Sequence, residues 1–358
     1  MRMRIVVAAT AAAVLVVVAL AVVVGRDWWQ ERERTELERA VRLVPSDTER
    51  YSWTDWTGVR RALDTDLTVA STGEEVRAFL ADGFEADLTS TSALVDSGPV
   101  LQDSFGWSPA TVDWELFAQG EDGSADLVHL SDSVDLDDVT DRLVDLGYER
   151  PSSDDGIWAG GEQVLAQIEL SSGGTLTPTL QYVAVDAEQR LLAFSDNVEY
   201  LPTALAALGE PQGRTVDEVV AAVADTSPVS AAIYSGDFAC RGLAMAQADE
   251  DDQQLARDLI ARAGPVNAMT GFAMVAEQSG HLRVAMSFES DDQAEVNADT
   301  RAVLAAGPAV GQGGDFADRF EVLEVSSDGP VVTLELDPVP DVYVLSDLST
   351  GPLLFATC

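Results

Sequence analysis

One local pattern recurs along this chain and constrains its fold: two short β-strands joined by a tight turn and followed by a helix. The strands 112–119 and 125–131 flank a turn at Gly123, and a helix at 135–146 comes next. Turn residues between runs of alternating polarity are typical of hairpins. Hairpins that alternate with helices predict an α+β fold, in which antiparallel sheets built from repeated strand-strand-helix units carry helices on one face.

The same hairpin is predicted three more times. The strand pairs are 180–185 with 190–195, 270–278 with 281–289, and 319–326 with 330–337, and helices at 197–208 and 291–305 follow the first two pairs. Further helices are predicted near 215–224 and 251–263. Another begins at Ser71, where Glu74 completes a capping box. These elements predict two α+β half-domains, 45–210 and 211–358.

The first 25 residues are dominated by an uninterrupted apolar run from Ile5 to Val24. Twenty helical residues extend ~30 Å, which is the thickness of a bilayer core. Arg2 and Arg4 precede the run, and positive residues favour the cytoplasmic side of a membrane. We therefore predict a single-pass anchor at 1–25, with the amino terminus in the cytoplasm and the bulk of the chain outside it.

A cleaved signal peptide is the alternative to an anchor, because Ala19-Leu20-Ala21 fits the small-x-small pattern of a cleavage site. The long apolar run and the Trp28-Trp29 pair behind it favour the anchor, since aromatic residues are common at membrane interfaces. Residues 26–44 place Glu and Arg three or four positions apart. This spacing predicts a charged helical stalk between the membrane and the globular part.

Charge is distributed unevenly along the chain. All 21 basic residues are Arg, and 10 of them lie within residues 1–61. Residues 62–358 hold 11 basic and 54 acidic residues, a net charge of -43. Such a domain repels nucleic acids and anionic surfaces, so no nucleic-acid partner is expected. The lack of Lys also excludes Schiff-base catalysis and the phosphate-binding Lys of Walker loops.

The chain has two cysteines, Cys240 and Cys358, and Cys358 is the last residue. In an oxidising compartment such a pair is usually joined. The bond would close a loop of about 119 residues and stabilise the fold by ~4 kcal/mol. Two unrelated thiols are the alternative. A catalytic Cys is disfavoured, because His129 and His281 are the only histidines that could serve as its base.

No motif predicts a catalytic, cofactor-binding or metal site. The acidic cluster from Asp135 to Asp141 lacks the Gly and the closing Glu of a standard Ca²⁺ loop, and Asp residues in a first helical turn favour the helix dipole by themselves. The two histidines have no second ligand at zinc-site spacing. No Gly-x-Ser-x-Gly elbow is present. A glycosidase could use any pair among 62 acidic residues, so composition does not decide that question.

Trp53 and Trp56, in the segment YSWTDW, lie at a predicted strand-to-helix turn. One ring can remain exposed at such a turn, and an aromatic ring offers a large contact area to a glycan or a peptide. We predict these two residues as the binding surface. Most of the other Trp residues are expected in the core.

Three stretches resemble a diffuse family of bacterial membrane-anchored extracytoplasmic proteins that contain a domain of unknown function. They are VPSDTERYSWTDW, WELFAQG with ADLVHLSDSVDLDDVTDRL, and QYVAVDAEQRLLAFSDNVEYLPTALAAL. The Arg-only, acid-rich composition is similar to that of actinobacterial proteins. The resemblance implies an anchored, extracytoplasmic protein of this fold style, and it transfers no active site.

Placement, charge and the lack of catalytic motifs together predict a non-enzymatic binding or interaction module of the cell envelope. Its expected partners are the membrane, through the N-terminal helix, and an envelope protein or glycan, with no cofactor. The alternative is a hydrolase that acts on envelope polymers through a carboxylate pair. A third hypothesis is folding that depends on a divalent cation.

Overall fold

The computed structural model describes residues 34–153, 156–209, 215–243, 245 and 248–358. The strands are β1 Arg50–Thr54, β2 Val112–Gln119, β3 Ser124–Leu130, β4 Ile157–Ala159, β5 Tyr182–Asp186, β6 Leu191–Ser195, β7 Ser230–Ser235, β8 Gly271–Ala276, β9 Leu282–Ser287, β10 Phe320–Asp328 and β11 Val331–Pro338. The α-helices are α1 Glu36–Val41, α2 Trp56–Ala62, α3 Gly73–Glu85, α4 Leu136–Asp145, α5 Gly161–Ser172, α6 Leu201–Gly209, α7 Asp217–Ala224, α8 Gly236–Gly242, α9 Glu250–Ala263, α10 Asp291–Ala305 and α11 Val344–Leu348. Shorter helical turns lie at Gly98–Val100, Leu101–Phe105, Pro178–Gln181, Phe316–Asp318 and Leu354–Ala356.

All eleven strands form one antiparallel sheet, in the order β10-β11-β9-β8-β7-β1-β2-β3-β6-β5-β4. β1 pairs with β7 on one side and with β2 on the other. The strands of 45–210 and those of 211–358 therefore meet at the centre of the sheet. In both halves the elements follow the same order along the chain: a strand, two helices, a hairpin, a helix and a second hairpin. The first half has β4 and α5 in addition, directly before its second hairpin. The predicted hairpin-helix unit is thus part of a larger repeat that begins with a central strand.

Helices cover both faces of the sheet, which corrects the expectation of helices on one face. Neighbouring residues of a strand point to opposite faces, and in β8 Ala273 and Met274 belong to different apolar clusters. One cluster spans both halves beneath α1, α6 and α7. On the opposite face, α2 to α5 cover a core in the first half, and α8 to α11 cover another in the second half. The central strands are consequently buried on both sides.

The predicted hairpins and most predicted helices are confirmed to within a few residues. The helix predicted at 291–305 is α10, and Ser290 is its N-cap. The capping box near residue 71 is displaced by one position, because Thr72 caps α3 and Glu75 completes the box. The strands β4 and β7 and the helices α5, α8 and α11 are not among the predicted elements. No helix in the described part of the chain is long and apolar enough to cross a membrane, and the predicted anchor at 1–25 lies outside that part.

The described end of the predicted stalk packs on the globular body. Helix α1 buries Leu37, Ala40 and Val41 in the cluster that α7 also covers. Arg42, directly after α1, forms an ion pair with Asp217 at 2.6 Å. Apolar burial together with an ion pair to α7 fixes this segment. Residues 35–44 therefore belong to the folded body and do not form part of a free stalk.

The predicted disulfide between Cys240 and Cys358 is present, with a Cα–Cα distance of 5.6 Å. It attaches the last residue to α8. The preceding turn, Leu354–Ala356, is buried in the core of the second half. Arg301 Nη1 donates hydrogen bonds to the carbonyl oxygens of Phe355 and Thr357 at 2.9 and 2.5 Å. We refer to residues 353–358 as the C-terminal strap.

Candidate functional site

A cavity of about 400 Å³ opens where β1 ends, close to the centre of the sheet. Its wall combines the start of α1, the turn from β1 into α2, the beginning of β2 and the segment between α7 and β7. Because β1 and β7 come from different halves, the cavity lies where the halves meet. Small-ligand sites are frequent at such junctions. We refer to this site as the Trp53 cavity.

Trp53 is the aromatic part of the wall. Its ring stacks on Trp114 with 5.2 Å between ring centroids, and Trp114 stacks on His129 at 5.5 Å. The three rings come from neighbouring strands and form a cross-strand row. Trp53 is 2% exposed, and its Nε1 has no hydrogen-bond partner among the described residues. Buried polar groups are nearly always hydrogen-bonded, so this unpaired indole N–H is unusual.

Asp55 occupies the turn between β1 and α2. Its Oδ1 accepts a hydrogen bond from the backbone N–H of Gly58 at 2.9 Å, which caps α2. Burial raises the pKa of the Asp55 carboxyl group; the Gly58 hydrogen bond opposes this effect and the Glu36 carboxylate adds to it. Arg61, on the cavity wall, also opposes the increase. The cavity therefore holds a partly desolvated carboxyl group with like charge nearby.

Asp113 supplies a second carboxylate to the cavity, from β2. The register between β2 and β3 shifts between Val112 and Trp114, so Asp113 lies at a β-bulge. Bulges redirect side chains and are common next to functional sites. The Oδ2 atom of Asp113 lies 2.9 Å from Nδ1 of His129. His129, predicted as an isolated strand residue, therefore stacks on the aromatic row and also fixes a cavity carboxylate.

The two predicted binding residues have different positions. Trp53 lines the cavity, whereas Trp56 is fully buried on the other side of β1 and its Nε1 donates a hydrogen bond to Glu115. Neither ring is the exposed aromatic that the strand-to-helix turn predicts. The disulfide pair, Cys240 and Cys358, is a structural bond and does not line the cavity.

A buried carboxyl pair in β2 and β3 was not predicted. Glu115 accepts hydrogen bonds from Trp56 Nε1 at 3.0 Å, Ser92 Oγ at 2.7 Å and the Ala93 backbone N–H at 2.6 Å. Burial nevertheless raises its pKa. Both carboxyl oxygens of Asp126 are buried and have no hydrogen-bond partner in the described part of the chain. Burial, and then the nearby Glu115, raise the Asp126 pKa. Both groups are closed off from solvent, so a ligand does not reach them in this structure.

The acidic cluster of the sequence has a local structural role. Asp135 is the N-cap of α4 and accepts a hydrogen bond from the backbone N–H of Asp137 at 2.9 Å. Asp138 pairs with Arg142 one helical turn later. Within the described ranges, no group of three or more His, Cys, Asp or Glu side chains is placed to hold a metal ion.

No protein-family model and no curated protein matches this sequence. Two solved structures, crystal forms I and III of TP0453, align with 88% and 86% of this chain and with 97% and 96% of their own chains. Sequence identity is 7% and 11%, and the TM-score is 0.41 in both cases. A similarity at this level supports no argument about function. Membership of the anchored bacterial family that the sequence resembles stays a prediction.

Proposed function

We propose that this protein is a membrane-tethered binding module of the extracytoplasmic cell envelope, and that the Trp53 cavity is its binding site. The cavity itself carries the proposal. It joins an aromatic wall, a guanidinium group and three carboxylates in one concave surface between the two halves. A concave site with a few convergent polar groups is the usual form of a small-ligand site.

Two observations support the location. Disulfides such as Cys240–Cys358 persist in oxidising compartments and are rare in the cytoplasm. The apolar run from Ile5 to Val24 has the length of a membrane anchor. Eleven residues separate Val24 from Glu36 at the cavity wall, and an extended chain of that length spans at most roughly 40 Å. The tether would therefore hold the cavity near the membrane surface.

In-cell photo-crosslinking tests the binding function. A photoreactive amino acid at Thr57 lies in the cavity wall, and one at Ser326 lies on the exposed edge strand β10. An adduct with an envelope component is expected from position 57, and a different or weaker pattern is expected from position 326. The adduct should disappear when Ala224→Trp fills the cavity. Identical adducts from both positions would reject the cavity as the site.

A topology reporter tests the location separately. An enzyme that needs disulfide bonds to fold is fused after Cys358, which is exposed. The reporter should be active in the full chain and inactive when residues 1–25 are deleted. Activity after the deletion, or no activity in the full chain, would contradict the proposed anchor and its orientation.

Hydrolysis of an envelope polymer is a second candidate, because the cavity contains the carboxylates Asp55 and Asp113. Glycosidases pair a carboxyl group of raised pKa, such as Asp55, with an ionised carboxylate. Turnover of cell-wall fragments that Asp55→Asn abolishes would favour this function. Binding without turnover would favour the binding module.

A further inference from the structure

The polar lining of the Trp53 cavity supplies hydrogen-bond donors as well as acceptors. Asp55 and Asp113 accept, Arg61 donates, and the Ser227 hydroxyl group does both. The Thr57 hydroxyl group is already engaged, because it donates to the Asp113 carbonyl oxygen and accepts from Arg60. A simple amine would leave the hydrogen-bond donors of the cavity wall without partners. A simple carboxylate would leave the acceptors of the cavity wall without partners. A ligand that carries several hydroxyl groups matches both sets, because each hydroxyl donates once and accepts twice.

The indole N–H of Trp53 adds a second, independent requirement. Trp53 lines the cavity, and its Nε1 is buried without an acceptor among the described residues. A metal ion or an alkylamine offers no acceptor, whereas a hydroxyl or ring oxygen does. Nε1 is closed to solvent in this structure, so its bond to a ligand oxygen forms only if the indole ring shifts as the ligand enters. A ligand oxygen at this position would pair a donor that is otherwise buried without a partner, which favours binding.

The charge of the lining selects among hydroxyl-rich ligands. Glu36, Asp55 and Asp113 oppose the single guanidinium of Arg61, and residues 62–358 carry a net charge of -43. Both the local and the overall field repel anions. Uronic acids and phosphorylated sugars are therefore disfavoured, whereas neutral sugars and protonated amino sugars are accepted. A volume of about 400 Å³ lies within the range of small-molecule sites.

From these three observations we infer that the Trp53 cavity binds a neutral or amino sugar, as a free saccharide or as one unit of a glycan. Carboxylates accept hydrogen bonds from its hydroxyl groups, while Arg61 and Trp53 donate to its oxygens. The inference rests on the proposed function, since it names the ligand class of the same site.

Calorimetric titration of the full chain in detergent, with N,N′-diacetylchitobiose and with maltose as probes, tests the inference. Binding of at least one probe is expected. Asp55→Asn should raise its Kd about tenfold, the effect of ~1.4 kcal/mol from a charged hydrogen bond, and Asn still caps α2. Trp53→Phe keeps a ring against Trp114, lacks the N–H and should raise the Kd several-fold. Asp141→Asn is the control: it removes the same negative charge from an exposed position on α4 and should leave the Kd unchanged.

Two further probes, glucuronate and cadaverine, test whether the cavity also binds an anionic sugar or an alkylamine. Glucuronate is expected to bind at least tenfold more weakly than the neutral probe. If cadaverine alone binds and Asp55→Asn abolishes its binding, the cavity remains a binding site and the sugar assignment is overturned. Sugar binding that neither Asp55→Asn nor Trp53→Phe changes also overturns the assignment. If no probe binds, the sugar assignment is overturned; if the photo-crosslink from position 57 is absent as well, the proposed function fails with it.

Discussion

Loss of the bond between Cys240 and Cys358 is expected to lower the free energy of unfolding by about 5 kcal/mol. The bond spans a sequence separation of 118, and the chain-entropy relation assigns ~5 kcal/mol to a closed loop of that length, a little more than the ~4 kcal/mol expected from the sequence. Most domains have total stabilities of about 5–15 kcal/mol, so this is a large share. Cys358→Ser is the preferred change, because Cys358 is terminal and exposed and its side chain contributes little packing.

Denaturant titration of the full chain in detergent, without reductant, measures the difference. The variant should unfold at a lower denaturant concentration and with a steeper dependence, since its unfolded chain is no longer cross-linked and exposes more surface. Reductant should lower the stability of the wild type to that of the variant. The same reductant should leave Cys358→Ser unchanged, which is the internal control.

A loss of less than about 1 kcal/mol in the free energy of unfolding would refute this reasoning, because a closed loop of this length should contribute far more in the chain-entropy relation. The C-terminal strap has other attachments that would account for such a result. Arg301 donates hydrogen bonds to two strap carbonyls, and Leu354 and Phe355 are buried beneath α10.

Three further substitutions test the interior. Asp126→Asn is expected to flatten the pH dependence of stability. Burial and Glu115 raise the Asp126 pKa, so this group contributes a loss of ~1.4 kcal/mol per pH unit as the pH rises from its unfolded pKa toward the raised one. Glu115, whose pKa is also raised, adds to the slope of the wild type and keeps part of it in the variant. Denaturant titrations from about pH 4 to pH 8 give the slope, which the exposed control Asp141→Asn should not alter. Arg301→Met is expected to destabilise the fold by about 3 kcal/mol, because two buried strap carbonyls lose their donor; an unchanged midpoint in denaturant would contradict this. Gly236→Ala is expected to cost roughly 2–4 kcal/mol, since its Cβ would overlap a backbone carbonyl just before β8; a melting temperature equal to that of the wild type would count against it.

Elements that depend on neighbouring residues, namely hairpins and capped helices, could be predicted from the sequence. Hairpins such as β8–β9 combine alternating strands with a Gly turn, and α10 is framed by Ser290 and Gly307, so short-range chemistry specifies them. β7 was missed because its residues, SAAIYS, are apolar without alternation and lie in no hairpin turn. Its place at the centre of the sheet depends on long-range pairing with β1, which local patterns do not encode.

The candidate site was only partly predictable for the same reason. YSWTDW indicated Trp53, but the cavity also needs residues from α1, β2 and the segment before β7, and only the folded chain brings these together. Glu115 and Asp126 stand at the polar positions of alternating strands, which predicts a solvent-facing side. Because helices cover both faces, those positions are buried. The assumption of a one-sided sheet therefore concealed the acidic pair.

The central position of β1 has a consequence for the order in which the chain acquires its structure. Thr54 pairs with Ser230, so the pairing cannot begin until about 180 more residues have been made. Contacts between such distant positions slow folding. Until β7 arrives, one edge of β1 remains open, and open strand edges recruit other chains. Under the proposed membrane tether, copies held side by side would present such edges at high local concentration, and their export would then require a holdase or slow, well-spaced delivery.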